Sequence, residues 1–338
     1  MQQNTFKETF IFHGIKITAM AEVSIVFVNY NGKGLLKKSL DSANKAISKE
    51  KKKYEIIVVD NDSSDRSVEF IKKHYKSVKI VQNKSNLGYC GINSALPHCK
   101  GKYILFLNND IVIGRNCLKE LMAAISKGGN IAMAAPKLVN YYNKKLESGG
   151  TWVSRAFYNG HVSGRHNLNE IPYLGVGLIR KDVVSKFGYL FDKDYFIYAE
   201  DLDLGLRLRL AGYRVVFAPK AVIFHFHAAT TKNFAKGRAT FLLERNLLTT
   251  FFKILSLKNI ILFSPYVFLM RFLAIIKDII TLRFSNALSR VMAIFWVLLN
   301  LGRIARKRKE LQRLRKADDN FILEVFSERY LFKKPVIV

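Results

Sequence analysis

Cysteine is scarce in this sequence, and its positions exclude two kinds of site. Three cysteines occur among 338 residues, at Cys90, Cys99 and Cys117. Their number is odd and no two of them have CxxC spacing, so they predict neither a zinc site nor a disulfide framework. We therefore expect a reducing, cytoplasmic setting for the chain.

Acidic side chains are also in the minority. The chain has 26 Asp and Glu against 55 Lys and Arg, a formal net charge of +29. Such an excess indicates an anionic partner, which could be nucleic acid, a membrane surface or a small phosphorylated substrate. The cations are not interleaved with aromatics in a recognisable nucleic-acid module, and the loops predicted at the sheet edge are acidic. No nucleic-acid partner is therefore expected.

Long uncharged apolar runs are missing near the N-terminus. The apolar piece Phe10–Phe12 is short and is followed by His13 and Lys16, a pattern unlike that of a secretory signal. The first predicted strand begins only at Val23. We expect residues 1–21 to be a disordered or variable extension.

Such runs are also missing beyond residue 250. Arg271, Lys277 and Arg290 interrupt the apolar segments there, so none offers the roughly 20 uncharged residues of a simple spanning helix. A dense basic run from Arg303 to Lys316 follows. We expect residues 251–338 to form apolar and basic helices that associate peripherally with the anionic inner face of the cell membrane. The alternative is a solvated charged helix packed on a helical tail.

Residues 23 to 110 alternate apolar runs with amphipathic ones, the pattern of βαβ units on a parallel sheet. The predicted strands are Val23–Val28, Glu55–Val59, Lys79–Val81 and Tyr103–Leu107. A polar loop follows each strand, so the loops should meet at one edge of the sheet, where α/β folds bind ligands. The region 111–235 is predicted as shorter strands and loops.

A cluster of carboxylates in the segment 198–204 stands out on this basic chain. Leu202, Leu206 and Leu210 follow at helical spacing, and Gly212 stands where a helix would end, so a helix is predicted from Glu200. An acid cluster beside apolar residues is either neutralised by Lys or Arg, or kept for a cation or a proton. A second acidic site, Asp110, ends the strand Tyr103–Leu107.

At this point the sequence resembles a known family. Six motifs carry the resemblance, in the segments 23–32, 56–65, 86–89, 106–110, 200–204 and 244–246. In this order they are similar to the inverting family 2 glycosyltransferases of the GT-A fold, and most similar to rhamnosyltransferase-like members. The resemblance covers about residues 22–250. It implies an α/β, Rossmann-like, mostly parallel sheet flanked by helices, followed by the membrane-associating helical region 251–338.

The resemblance implies a metal-dependent transfer of one sugar, rhamnose being the suggested one, from a nucleoside-diphosphate sugar. The acceptor would be a glycan or a lipid-linked precursor in cell-surface polysaccharide synthesis. Two alternatives remain, a family member that only binds nucleotide and a basic nucleic-acid-binding protein. A processive synthase is disfavoured because clear spanning helices are not predicted.

The resemblance also implies a set of residues that bind the nucleotide sugar: Asn29, Tyr30, Asn31, Asp60, Asp62, Asn86, Gly88, Asn108, Asn109 and Arg245. For some of them the residue types allow a plain alternative. Tyr30 could fill the core, Asp62 and Asp65 could cap the following helix, and Arg245 could pair with Glu244.

The remaining implied residues bind a metal or move a proton. Asn108-Asn109-Asp110 stands where the family has its Asp-x-Asp motif, so Asp110 is the expected ligand of Mg2+ or Mn2+, with His227 or His225 as a further contact. Both histidines could instead be ordinary buried residues. Asp201 is the expected general base, and Glu200 its partner. Asp203 would orient the base, hold the acceptor or stabilise a helix N-terminus.

Overall fold

The computed structural model describes residues 21–48, 53–162, 169–226 and 235–327. The predicted extension at residues 1–21 therefore lies almost wholly outside the described residues, as does the end of the region 251–338.

The N-terminal half of the sheet is parallel, as the sequence pattern predicts. Its strands, in the spatial order β3-β2-β1-β4, are β1 (Val23–Asn29), β2 (Tyr54–Asp60), β3 (Lys79–Gln82) and β4 (Tyr103–Asn108). Their register places Asn29 beside Asp60 and Val28 beside Asn108. The polar residues that end these strands therefore meet at one edge. The chain between them forms α1 (Lys33–Ile47), α2 (Ser67–His74) and a 3-10 helix (Gly88–His98).

Beyond β4 the sheet becomes mixed, so the expectation of a mostly parallel sheet holds for its first half alone. The order continues β4-β10-β6-β11-β5, with β7 beside β6. The strand β10 is antiparallel to both neighbours, whereas β6 and β11 are parallel. The strands of this half are β5 (Ile111–Ile113), β6 (Ile131–Asn140), β7 (Leu146–Ser148), β10 (Gly177–Arg180) and β11 (Arg214–His225), and β8 (Thr151–Val153) pairs with β9 (Asn159–His161) in a small separate sheet.

The remaining helices flank the sheet or follow it. They are α3 (Cys117–Ile125), α4 (Lys181–Phe187), α5 (Glu200–Leu210), α6 (Arg238–Ile254), α7 (Leu257–Ile280), α8 (Phe284–Leu299), α9 (Leu301–Gln312) and α10 (Asp319–Leu323). The predicted start of α5 at Glu200 is confirmed. Gly212, which follows it, has φ +81°, a conformation that an L-residue rarely adopts.

Helices α7 and α8 bury little of their apolar surface. Of the large hydrophobic side chains that are exposed in the described residues, nearly all lie between Leu257 and Leu301. Helix α7 is long and apolar enough to cross a membrane, and α8 with α9 would be long enough together but is bent by 67°. Arg271 of α7 is nevertheless buried, and it donates to the Ala156 carbonyl at 2.8 Å, so this charge is turned toward the protein.

Helix α6 is joined to α5 by buried ion pairs that the sequence did not reveal. The Lys253 ammonium lies 2.7 Å from Asp203 and 2.7 Å from Asp192, all three side chains being buried. Asp203 also accepts from Arg207 Nε at 2.7 Å and from the Tyr195 hydroxyl at 3.2 Å. Asp203 lies in the first turn of α5, as the helix N-terminus role requires, and its carboxylate is neutralised by Lys and Arg, one of the two outcomes expected for the acid cluster.

We predict that Lys253→Met will strongly destabilise the protein. The substitution keeps a long apolar stem but leaves Asp192 and Asp203 without their shared cation, and breaking a buried pair in this way costs about 3–5 kcal/mol. Denaturant unfolding measures the loss.

Lys37→Met is the matched control, because Lys37 pairs with Asp41 at 2.7 Å on the surface, where its side chain is 61% exposed. Its cost should be about 0–1 kcal/mol. Equal losses for the two variants would contradict a structural role for the buried pairs.

Candidate active site at the carboxyl edge of the sheet

The ends of β1, β2 and β4 are tied together by side-chain amides and carboxylates. The buried Asn29 donates to Asp60 Oδ1 at 2.9 Å and accepts from Asn109 Nδ2 at 2.8 Å. Asp60 accepts in addition from the backbone N–H and the hydroxyl of Ser63, at 2.9 and 2.7 Å. Three of the predicted nucleotide-binding residues are therefore in direct contact, and they form a rigid floor at the ligand edge.

The loops that follow β1 and β2 hold each other at the same edge. Asn31, with φ +50°, donates its backbone N–H to Ser63 Oγ at 2.9 Å and accepts from the Ser64 N–H at 2.8 Å. Asp65 accepts from Lys33 N–H at 2.8 Å, at the start of α1, and from Ser67 N–H at 3.0 Å, at the start of α2. The helix-capping alternative for Asp65 matches these bonds.

Two further predicted residues of this edge, Tyr30 and Asp62, are open to solvent to different degrees. Tyr30 is half-buried, whereas Asp62 is exposed and has φ +64°. Asn108 is half-buried at the end of β4. These side chains are available to a ligand at the edge, and their roles stay predictions.

The turn at Asn86 brings a third element to the site. Asn86 Oδ1 accepts from the Gly88 N–H at 2.9 Å, and Gly88 has φ +63°. A Cβ at Gly88 would collide with the Phe196 carbonyl, so only glycine permits this approach. The next residue, Tyr89, donates its N–H to the same carbonyl at 2.8 Å. The predicted nucleotide-binding turn thus touches the segment that leads into Glu200.

Glu200 and Asp201 begin helix α5 in an apolar setting. Glu200 is buried and its Oε2 has no hydrogen-bond partner, whereas Asp201 is half-buried and accepts from the Leu202 N–H at 2.8 Å. Burial raises the pKa of Asp201 to about 6, and burial together with the nearby Asp201 charge raises the pKa of Glu200 well above its usual value. At neutral pH Asp201 is therefore ionised, whereas the raised pKa of Glu200 favours its neutral form, so the two carboxyls are pushed toward different roles.

Arg245 contacts backbone near the acid pair. Its guanidinium donates to the carbonyls of Asp194 and Tyr195, at 2.8 and 3.1 Å, and to Asn246 Oδ1 at 2.9 Å. Glu244, the alternative partner, pairs instead with Arg271 at 3.3 Å and with Arg290. The expected contact of Arg245 with a diphosphate stays a prediction. To make it, the guanidinium would have to share or break its hydrogen bonds to the carbonyls of Asp194 and Tyr195.

The second acidic site is built around His225. Its Nε2 lies 3.1 Å from Asp110 Oδ2, and its Nδ1 lies 3.1 Å from Glu147 Oε2. Burial lowers the pKa of His225, but the hydrogen bonds and charges of the two carboxylates outweigh this effect and raise the pKa to about 9. The ring is therefore cationic in this arrangement, and it would have to release a carboxylate before binding a metal. His227 lies outside the described residues.

One observation bears on whether a cation fits here. Asp110 Oδ1 is buried and has no hydrogen-bond partner, so it is free to bind a cation. Among the residues that the structure describes, no group of three or more His, Cys, Asp or Glu side chains is arranged to hold a metal ion. A Mg2+ or Mn2+ ion that takes its other ligands from a diphosphate and from water would fit this donor set, because both ions accept mainly oxygen ligands.

Tyr89 connects the two acidic sites, and the sequence alone did not identify it. Its pKa is raised far above the usual value by burial, and then by the charges of Glu200, Asp201 and Asp110. Its hydroxyl donates to the Gly175 carbonyl at 2.6 Å, and a Cβ added to Gly175 would lie 3.3 Å from Asp201 Oδ2. Tyr89 therefore lies near all three acids, and its hydroxyl contacts the backbone beside Asp201.

Comparisons with known proteins find glycosyltransferases. Residues 24–187 match the model of glycosyl transferase family 2. A poly(ribitol-phosphate) beta-glucosyltransferase of Bacillus spizizenii is 39% identical over 103 residues, which are 29% of this chain and only 16% of that protein. An N-acetylglucosaminyl-diphospho-decaprenol L-rhamnosyltransferase of Mycobacterium tuberculosis is 23% identical over 208 residues, 52% of this chain and 67% of the relative.

A solved structure shares the fold. The crystal structure of GalNAc-T7 with UDP, GalNAc and Mn2+ superposes with a TM-score of 0.58 at 16% sequence identity, over 75% of this chain and 51% of that one. At this identity the likeness shows the fold alone.

We predict that Glu200→Gln will change how stability depends on pH. The pKa of Glu200 is raised in the folded protein, so the folded form keeps a proton that the unfolded chain loses above about pH 4.3. Wild-type stability should therefore fall as pH rises from 5 to 8, and a glutamine, which cannot titrate, should remove that part of the loss. Thermal unfolding across this pH range gives the comparison.

The control is Glu69→Gln, at an exposed glutamate of α2. Its curve should run parallel to that of the wild type. Should Glu200→Gln also run parallel, Glu200 is not held protonated.

Proposed function

We propose that this chain, which belongs to glycosyltransferase family 2 through its residues 24–187, transfers a single sugar from a nucleoside-diphosphate sugar to a glycan or lipid-linked acceptor with inversion at the anomeric carbon. The observation that carries the proposal is the pair Glu200 and Asp201 at the start of α5, where Glu200 Oε2 is buried without a hydrogen-bond partner and Asp201 lies beside Gly175.

The donor is proposed to lie along the edge formed by β1, β2 and β4. The bonded group Asn29, Asp60 and Asn109 gives that edge a fixed shape, and Tyr30, Asn31 and Asp62 border it. An aromatic ring there could stack on the base, while free carboxylate and amide groups bind base and ribose. Asn86, Gly88 and Asn108 border the side from which the diphosphate would approach.

Asp201 is proposed as the general base. In an inverting transfer the acceptor oxygen forms its bond to the anomeric carbon as the bond to the diphosphate oxygen breaks, and the electron pair leaves with the diphosphate. The proton of the acceptor hydroxyl goes to Asp201, whose pKa of about 6 leaves it ionised at neutral pH. Glu200, protonated beside it, keeps a second negative charge away from the base.

A divalent cation is proposed at Asp110, through the free Oδ1. When bound, such an ion neutralises negative charge on the leaving diphosphate. His225 and His227 stay candidates for a further contact. Mn2+ in the GalNAc-T7 structure supports a cation in this fold, but it says nothing of the ligands in this chain.

Rhamnose from a thymidine diphosphate donor is the proposed sugar. Support comes from the motifs of the chain and from the M. tuberculosis relative, whose name gives rhamnosyl transfer to N-acetylglucosaminyl-diphospho-decaprenol. The B. spizizenii relative is named for glucosyl transfer, which makes glucose the first competitor in a donor panel.

The acceptor is proposed to be presented at the inner face of the cell membrane. The exposed apolar side chains of α7 and α8 would enter the interface, since the buried Arg271 and the pair between Asp278 and Arg290 at 2.8 Å turn charge inward. The cationic helix α9 would add attraction to an anionic leaflet. Peripheral docking of a cytoplasmic enzyme is thus the proposed location.

We predict that one nucleotide sugar in a panel will release nucleoside diphosphate when the protein is incubated with lipid-linked acceptors and Mg2+ or Mn2+. Asp201→Asn keeps the shape of the side chain but removes the base, so the rate should fall about 10²–10⁴-fold. The wild-type rate should also fall as pH decreases through about 6, because Asp201 becomes protonated.

Assays with a chelator test the need for a cation in the same experiment. Asp62→Asn, at an exposed position, shows whether the loss of any acid at the edge lowers the rate as much as Asp201→Asn does. Nucleotide binding without release from any donor would favour a member of the family that has lost catalysis.

We predict that Phe272→Asp and Phe295→Asp will weaken binding to vesicles. The two rings are 58% and 60% exposed on α7 and α8, and burying a phenylalanine in an apolar environment contributes about 1.5–3 kcal/mol. Each charge should therefore reduce partitioning about tenfold or more, measured by co-sedimentation with vesicles that contain phosphatidylglycerol.

Tyr142→Asp serves as the control, because Tyr142 is 70% exposed but lies after β6, away from these helices. Equal binding by all three variants and the wild type would contradict docking through α7 and α8. Binding that is the same on neutral phosphatidylcholine vesicles would leave the basic residues without a role.

A further inference from the structure

The five residues that lead into the acid pair have an unusual backbone. Phe196, Tyr198 and Ala199 have φ values of +65°, +70° and +58°, and none of them is glycine. Left-handed conformations at such residues are unfavourable, and they persist only where the surroundings hold them. Ala199 immediately precedes α5, so this segment determines where the helix begins.

One side chain binds the carbonyls of this segment. Asn246 is buried on α6, and its Nδ2 lies 3.1 Å from the Tyr195 oxygen, 3.1 Å from the Ile197 oxygen and 2.7 Å from the Tyr198 oxygen. Its Oδ1 accepts from Arg245 Nε at 2.9 Å, which orients the amide with its donors toward the segment. A single amide therefore fixes the backbone on both sides of Phe196.

The same segment also contacts residues that pack around Asp201. The Phe196 carbonyl accepts from the Tyr89 N–H at 2.8 Å, and the Tyr89 hydroxyl donates to Gly175 at 2.6 Å. Gly175 in turn lies against Asp201 Oδ2. A shift of the segment would thus move both the start of α5 and the residues that pack around the base.

We infer that Asn246 is a positioning residue for the general base. It holds the carbonyls of Tyr195, Ile197 and Tyr198, and so fixes the left-handed segment that leads into Glu200 and Asp201. Asn246 does not touch the donor edge formed by β1, β2 and β4, but it accepts from Arg245, a candidate diphosphate contact, so a variant that keeps this acceptor isolates the effect through the backbone. The inference rests on the proposed role of Asp201 in sugar transfer.

A purely structural role for Asn246 makes a different prediction. Loss of stability alone would reduce the amount of folded enzyme without altering the properties of the molecules that stay folded. A positioning role instead alters kcat and the environment of Asp201. The titratable groups that face Asp201 are Glu200 on its own helix, Tyr89 from the 3-10 helix and Tyr173 from the segment before β10.

The test compares Asn246→Ala and Asn246→Asp with Thr249→Ala. Asn246→Asp keeps the shape and the acceptor for Arg245 but cannot donate to the three carbonyls. Thr249 is buried one turn further along α6, and its hydroxyl donates at 2.8 Å to the Arg245 carbonyl of the same helix. It therefore matches Asn246 in location without holding the segment.

Both Asn246 variants should lower kcat about 10- to 100-fold per folded molecule, since a misplaced catalytic group costs up to about 10²-fold for 1 Å. KM for the donor should change less than about twofold in Asn246→Asp, because this variant keeps the acceptor for Arg245 and leaves the donor edge untouched. The acid limb of the kcat–pH profile should move below about pH 6, toward the pKa of an ordinary aspartate. The reason is that water would reach Asp201 and remove the effect of burial. Thr249→Ala should change none of these.

Hydrogen exchange of the amides from 196 to 202 provides a measurement that does not depend on activity. Exchange should be faster in the Asn246 variants and unchanged in Thr249→Ala. Unaltered exchange, or a kcat loss that only follows the folded fraction while the acid limb stays in place, overturns the inference. A wild-type protein that acts on no donor would defeat the proposed function, yet exchange would still decide whether Asn246 fixes the segment.

Discussion

The ion pairs of Lys253 are the contact on which the arrangement of this protein depends. One ammonium on α6 lies 2.7 Å from Asp203 of α5 and 2.7 Å from Asp192, with all three groups buried. From α9, Lys307 reaches Asp192 as well. Buried charges are tolerated only when they are paired. These ion pairs therefore fix α6 to the helix that carries the acid pair, and they fix α9 to the same buried cluster.

Three acidic residues of one segment show how tertiary position decides the state of a carboxylate. Glu200 is buried with Oε2 unpaired and its pKa is raised well above the usual value, Asp201 stays ionised at neutral pH, and Asp203 is neutralised in the core. The three acids are equivalent in the sequence pattern. They differ because a helix points its side chains in different directions, and only Asp203 meets the cations Lys253 and Arg207.

Local pattern predicted the first half of the fold well. The strands β1 to β4 appear within a residue of their expected ends, and Asn29, Asp60 and Asn109 meet where parallel strands end. The mixed half of the sheet was not predicted, because β10 inserts between β4 and β6, strands far from it in sequence, and short runs carry no signal of their partners. The contacts of Asn246 and Tyr89 were missed for the same reason.

The sequence by itself determined that an α/β domain gathers polar loops at one edge and that acids stand at Asp110 and Glu200-Asp201, since these features depend on periodicity and on the order of strands. Only the tertiary structure decided which acid keeps its proton, that His225 lies between Asp110 and Glu147, and that α6 holds the segment before α5. Burial and charge proximity are properties of residues brought together from distant parts of the chain. No local pattern contains them.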